Sequence, residues 1–185
     1  MKIIFTGASS TGKTTILNIL KEKNPELRII TEVARNLHAE GVKINEQGNE
    51  EGQQMIFNKY VDLLFQNGDY ISDRGLTDVY AFSTWHYAHE ELSLDELARE
   101  MGEIENFKNM FKKDIVWVYF PIEFTSEDDG IRSTNEEYRA YIDDAIHQTL
   151  EDIDVDYLTV SGTVEERLNQ IKTYIEKFHK KTINI

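Results

Sequence analysis

Short apolar runs alternate along this chain with longer stretches whose apolar residues recur at helical spacing. The runs cover residues 1–6, 27–32, 70–73, 114–120 and 155–160. Four are rich in Ile, Val, Phe or Tyr, and several lack apolar/polar alternation, as strands buried on both faces do. Helical patterns fill the gaps: residues 13–23, then 53–66, where Met55, Ile56, Tyr60, Leu63 and Leu64 form one stripe, then 77–89, 94–111, 135–151 and 164–180. Ser93 with Glu96, Thr134 with Glu137, and Thr163 with Glu166 each match a capping box, in which hydroxyl and carboxylate satisfy reciprocal backbone amides. Leu92 and Leu97 suit a hydrophobic staple at the first of these starts. Strand and helix alternating five times predicts an α/β fold, a parallel sheet with helices on both faces. With no repeat, low-complexity tract or linker and only two prolines, residues 1–185 are expected to form a single domain.

Composition narrows the chemistry. There is no cysteine, which removes disulfides, thiolate zinc sites and cysteine nucleophiles. The opening residues read as a first strand rather than a signal peptide. No apolar run approaches the roughly 18 residues needed to span a bilayer, so a cytoplasmic, membrane-free protein is expected. The net charge of −14 counts against a general nucleic-acid binder, though a small basic patch is compatible with it. An anionic ligand must then be held by a few well-aimed cations, backbone amides and a metal.

Gly7-Ala8-Ser9-Ser10-Thr11-Gly12-Lys13-Thr14 fits GxxxxGK[ST] in full, between a strand and a helix. Its glycines permit the backbone turns that aim successive amides at a phosphate. The helix that follows adds its positive dipole end. A chance match in a chain this long has a probability of roughly one per cent, so the pattern is read as a nucleotide site. Gly7, Ser9, Ser10, Thr11, Gly12, Lys13, Thr14 and Thr15 are the expected ATP-binding residues. Lys13 is expected to reach the β- and γ-phosphates, and Thr14 to ligate Mg²⁺.

Ligands of open α/β sheets lie beyond the carboxyl ends of the strands, and three such ends carry charge. Asp73, closing the third run, is placed to hold Mg²⁺; the ordinary alternative is a helix cap. Arg74 suits acceptor or donor phosphates, or else a surface ion pair. Glu32, after the second run, is expected on the acceptor side as ligand or base for the attacking hydroxyl, with Arg35 nearby; the ordinary alternative is an exposed loop glutamate. The loop Ser126-Glu127-Asp128-Asp129-Gly130-Ile131-Arg132-Ser133 is expected to form a lid whose Arg132 offsets transition-state charge. Lys13, Glu32, Asp73 and Arg132 are thus the catalytic candidates. His86 and His89, three apart, lack a third ligand with convincing spacing and are expected to flank the core or lie exposed. Among Tyr80, Phe82, Trp85 and Tyr87, one could stack on an acceptor base, while at least two are expected in the core. The acidic stretch 136–144 and the basic tail 177–181 read as solvated helix faces.

GASSTGKTT, TEVAR, ISDRGLTD, EDDGIRST and VSGTVEERL together resemble NadR-like P-loop kinases, the AAA-domain ATPase/kinase group related to deoxynucleoside and thymidylate kinases. The resemblance runs from residue 1 to about 177. It implies a P-loop NTPase sandwich with strand order 2-3-1-4-5, ATP and Mg²⁺ as cofactors, and an acceptor pocket between strands two and three and the lid. It also implies transfer of the γ-phosphate to a nucleoside, nucleotide or related riboside. No adenylyltransferase or DNA-binding region precedes the kinase-like unit, which is not what an NAD-regulatory role would lead one to expect. The group also includes phage enzymes that phosphorylate hydroxymethylated bases such as 5-hydroxymethyluracil in DNA, and a regulatory ATPase switch is a third reading.

Overall fold

A computed structural model describes residues 1–125, 130–131, 133–179 and 183–185. The strands are β1 (Lys2–Thr6), β2 (Arg28–Ile30), β3 (Tyr70–Asp73), β4 (Ile115–Tyr119) and β5 (Tyr157–Thr159). They form one parallel sheet in the order β2-β3-β1-β4-β5, as expected. Lys2 stands opposite both Tyr70 and Ile115, so β1 is the centre of the sheet. Every residue of β1 and β4 is buried, which explains why these strands read as unbroken apolar runs.

Alternation along the strands divides the core in two. Ile3, Phe5, Ile71, Val116 and Val118 point to one face, where they meet Ile16, Leu17 and Leu20 of α1 (Lys13–Lys23) and Leu168 and Ile171 of α7 (Val164–Tyr174). Ile4, Ile30, Trp117 and Tyr119 point to the other. That face is covered by α3 (Glu50–Leu64), α4 (Leu76–Ala88), α5 (Leu94–Phe111) and α6 (Glu136–Asp152). Fully burying each such side chain contributes about 1.5–3 kcal/mol. Among the described residues no helix is long and apolar enough to cross a membrane.

Several expected boundaries move, each for a local reason. The second run is a strand only over Arg28–Ile30, because Glu32 takes a left-handed φ of 59° that ends the extended backbone. Glu32 instead precedes an unexpected helix, α2 (Val33–Ala39). The helix expected at 53 begins at Glu50, where Asn49 accepts from the Gly52 amide. The capping box expected at Thr134 is absent; Asn135, one residue on, accepts from the amides of Glu137 and Tyr138. At Thr163 both halves of the box form. At Ser93 the hydroxyl accepts from the Glu96 amide, while the Glu96 carboxylate turns to Arg99 and Gln54. After Tyr174 the last helix widens into a π-helical turn, Ile175–His179.

Candidate functional site

The β1–α1 loop wraps around Lys13. Gly7 has φ 142° and Gly12 φ 90°, conformations that side chains resist. A Cβ on Gly7 would lie 2.3 Å from the Phe120 carbonyl oxygen, so the loop's entry admits no side chain. Lys13 is buried, its Nζ donating to Gly7 O at 2.8 Å, Ala8 O at 2.5 Å and Thr11 Oγ1 at 3.0 Å. Burial, and then the charge of Arg74, push its pKa down to about 7, against the raising influence of Asp73, Asp78 and Asp143.

The ends of the neighbouring strands complete the arrangement. Thr14 Oγ1 donates to Asp73 Oδ2 at 3.0 Å. Arg74, at a left-handed φ of 79°, donates from Nη1 to Gly7 O at 3.1 Å and to Asp78 Oδ1 at 3.3 Å, with its guanidinium 5.2 Å over the Phe82 ring. Its ion pair is therefore with a buried acid beside the loop rather than on the surface. Arg35 Nε lies 3.1 Å from Glu32 Oε2, and both side chains are partly exposed.

These groups line one cavity of about 750 Å³, a size typical of ligand sites. Ser9, Ser10, Thr11, Gly12, Lys13, Thr14 and Thr15 line it, together with Glu32, Arg35, Asp73 and Arg74; Gly7 lies behind the wall. Arg132 and residues 126–129 of the expected lid lie outside the described residues. Gly130, Ile131 and Ser133 are described, and Ile131 and Ser133 reach the cavity. There Asn45 Nδ2 donates to Ile131 O at 2.7 Å and Ser133 Oγ to Glu46 Oε1 at 2.5 Å, joining the loop after α2 to the segment before α6.

Val33, Ile56, Val79, Phe82 and Ile142 add apolar side chains to the cavity wall. Two polar atoms interrupt it, Gln53 Oε1 and the Tyr138 hydroxyl, both buried and without a hydrogen-bond partner among the described residues. Burial raises the Tyr138 pKa, so the phenol stays neutral. Of the four aromatics on α4, Phe82 lines the cavity. Tyr80, Phe82 and Trp85 are half-buried against the core rather than fully inside it, and Tyr87 is exposed. His86 is wholly buried with Nδ1 2.8 Å from Glu91, and His89 stacks on Trp85.

The AAA domain family (AAA_28) matches residues 2–167. The chain belongs to that family. No curated protein matches it. Among solved structures, the YorR protein from Bacillus subtilis, in complex with phosphorylated GDP, is 14% identical at TM-score 0.63, covering 98% of this chain and 99% of that one. Deoxyadenosine kinase from M. mycoides, with products dCMP and dCDP, is 16% identical at TM-score 0.60, covering 97% and 99%. The NadR protein in complex with NR is 15% identical at TM-score 0.68; it covers all of this chain but only 53% of NadR. At these identities the neighbours show the fold, which this AAA domain shares with P-loop kinases.

Three charged residues of the site are missing from the sequence reading. Arg139 of α6 is buried within the stretch read as a solvated face. It donates from Nε to Ser9 O at 2.9 Å and from Nη2 to Phe124 O at 2.7 Å. Arg167 of α7, inside the VSGTVEERL stretch, donates to Thr11 O at 2.6 Å, Gly162 O at 3.0 Å and Glu123 Oε2 at 2.7 Å. The two guanidiniums thus hold the Ser9 and Thr11 carbonyls of the phosphate loop. Asp78 accepts from the Gly7 amide at 3.1 Å. Only Asp78 had a local signal, since it stands three residues after Gly75 at a helix start.

Proposed function

We propose that this chain is an ATP- and Mg²⁺-dependent kinase that transfers a γ-phosphoryl group to a hydroxyl of a nucleoside-like acceptor. The observation that carries the reading is that one cavity is lined by phosphate-loop residues 8–15, by Glu32 and by the apolar side chains of Val33, Ile56, Val79, Phe82 and Ile142. Lys13, Arg35, Arg74, Arg139 and Arg167 line this cavity in a chain of net charge −14. Such convergence of cations supports an anionic ligand at the site.

The Thr14 hydroxyl and the Asp73 carboxylate, in contact beside the loop, are the hard oxygen donors that Mg²⁺ takes in phosphoryl-transfer sites. Thr14 and Asp73 would hold the metal, which would offset charge on the phosphates. Lys13 supplies a cation to the β- and γ-phosphates, and the loop amides hold them in line with the acceptor. Glu32 orients the attacking hydroxyl and takes its proton as the new O–P bond forms and the bond to the leaving ADP breaks. Arg35, beside Glu32, offsets charge on the acceptor side, and Arg74, held against the phosphate loop, offsets charge on the donor phosphates, as Arg132 would from the lid.

Gln53 Oε1 and the Tyr138 hydroxyl support an acceptor that carries hydrogen-bonding groups on a ring. An unpaired buried polar atom costs about 1–3 kcal/mol, which such a ligand would recover. The complexes of the neighbours with NR, dCMP and phosphorylated GDP support the same class. The net charge of −14 counts against a DNA strand as acceptor. The apolar side chains of the cavity wall have no use in a switch that only hydrolyses ATP. Labelled ATP with a panel of nucleosides, nucleotides, nicotinamide riboside and hydroxymethylated DNA tests the reading. Label should pass to a small acceptor; ATP hydrolysis at a rate indifferent to every acceptor would overturn it.

A further inference from the structure

We propose that Asp78 is a positioning residue that locks Arg74 onto the phosphate loop, so that Arg74 acts on the donor phosphates only while Asp78 holds it. The inference rests on the kinase reading above. Asp78 stands in the first turn of α4 and is wholly buried. It does not line the cavity and so touches no ligand there. Its Oδ2 accepts from the Gly75 amide at 2.9 Å, which is all that capping the helix requires. Its Oδ1 does something else. It accepts from the Gly7 amide, 71 residues away, at 3.1 Å and from Arg74 Nη1 at 3.3 Å.

The same Arg74 Nη1 donates to the Gly7 carbonyl at 3.1 Å. Both backbone groups of the loop's first glycine are therefore held by one ion pair, the amide by the carboxylate and the carbonyl by the guanidinium. Arg74 is fixed from three further sides. Its amide donates to Phe5 O at 2.8 Å, its carbonyl accepts from Ser72 Oγ at 2.6 Å, and its guanidinium lies over Phe82. A carboxylate is the one side chain that can face all of these donors, because both of its oxygens accept. An asparagine offers a single acceptor oxygen. Its NH₂ must confront either the Gly75 amide or the donors of Gly7 and Arg74, which leaves Arg74 without its anchor.

The test is a double-mutant cycle read by calorimetric titration of Mg·ATP, with Asp78→Asn, Arg74→Met and the pair, each checked by thermal melting. Losing a charge-assisted hydrogen bond is worth about tenfold in affinity. Each single variant should weaken Mg·ATP by about that factor, and the double variant should be no weaker than Arg74→Met alone. A purely structural Asp78 would lower the melting temperature, and its loss would multiply with that of Arg74. Asp78→Asn binding like wild type, or multiplying losses, would overturn the proposal. Should Asp78→Asn not fold, Asp78→Ser keeps a short acceptor for Gly75 without the reach to Gly7, and the same non-additivity is expected. If the wild-type protein itself fails to bind Mg·ATP, the kinase reading falls first; binding with multiplying losses removes only the role of Asp78.

Discussion

Thr14 Oγ1 and Asp73 Oδ2 meet at 3.0 Å although 59 residues separate them in sequence. The contact exists because β1 and β3 are paired, with Phe5 opposite Asp73, so the acid ending one strand lies beside the loop leaving the other. Asp73→Asn keeps the shape and removes the charge. It should lower the transfer rate most at limiting Mg²⁺ and regain part of it as the metal is raised. Rate measurements across a Mg²⁺ series decide this: a deficit equal at every concentration would take Asp73 out of the metal site.

Lys13→Ala should abolish phosphoryl transfer and weaken ATP binding while the protein stays folded, because the Lys13 amine is the cation that the loop itself encloses, against Gly7 O, Ala8 O and Thr11 Oγ1. The pKa of Lys13 adds a sharper expectation. With its value lowered to about 7, much of the amine is neutral at pH 8. Phosphate oxygens favour the charged form, so binding should raise the pKa and draw in a proton. Calorimetry at pH 8 in buffers of different ionisation enthalpy should show uptake approaching one proton per Mg·ATP bound, diminishing towards pH 6. The alanine variant should lack this component of uptake.

Glu32→Gln should cut acceptor phosphorylation by about 10²-fold, the scale of a lost general base, with ATP affinity little changed. Glu32 faces the cavity from the turn into α2 and pairs with Arg35, away from the contacts that hold Lys13. The amide keeps the size of the carboxylate but loses basicity and charge. Turnover by label transfer and ATP binding by calorimetry, on one preparation, separate the outcomes. Unchanged turnover would leave Glu32 a partner of Arg35 and nothing more.

The sheet and the phosphate loop were legible in the sequence because each is written in consecutive residues. Strands buried on both faces, such as Ile3-Ile4-Phe5, leave no polar alternation to confuse the reading. The glycines at 7 and 12 are demanded by the backbone itself. Arg139 and Arg167 were not legible. Each lies in a helix whose sequence looks solvated, and its partners on the loop are 130 and 156 residues distant. Nothing local distinguishes an arginine that will be buried from one that will not. Glu32 was read as a strand end because the apolar run before it continues to Ile30; the left-handed turn that starts α2 has no glycine to announce it.

The last expectation concerns a buried acid outside the cavity. Glu100 of α5 is wholly buried against α4, where Oε1 accepts from Ser83 Oγ at 3.0 Å and Oε2 has no partner among the described residues. Burial, aided by the nearby Glu96 carboxylate, lifts its pKa from 4.5 to about 8, against the opposing effects of the Ser83 bond and Arg99. The folded protein thus holds this proton more tightly than the unfolded chain does. Its contribution to stability is greatest below pH 4.5 and is lost as the pH rises towards 8. Glu100→Gln is neutral throughout and still accepts from Ser83. It should be more stable than wild type at pH 8.5, by about 1 kcal/mol or more, which corresponds to about 2–4 °C in Tm. The gap should narrow steadily towards pH 5. Denaturant titrations at both pH values measure it. A gap that did not change with pH would mean that the carboxyl is not protonated in the folded protein, and that its partner at Oε2 is a charge rather than its own proton.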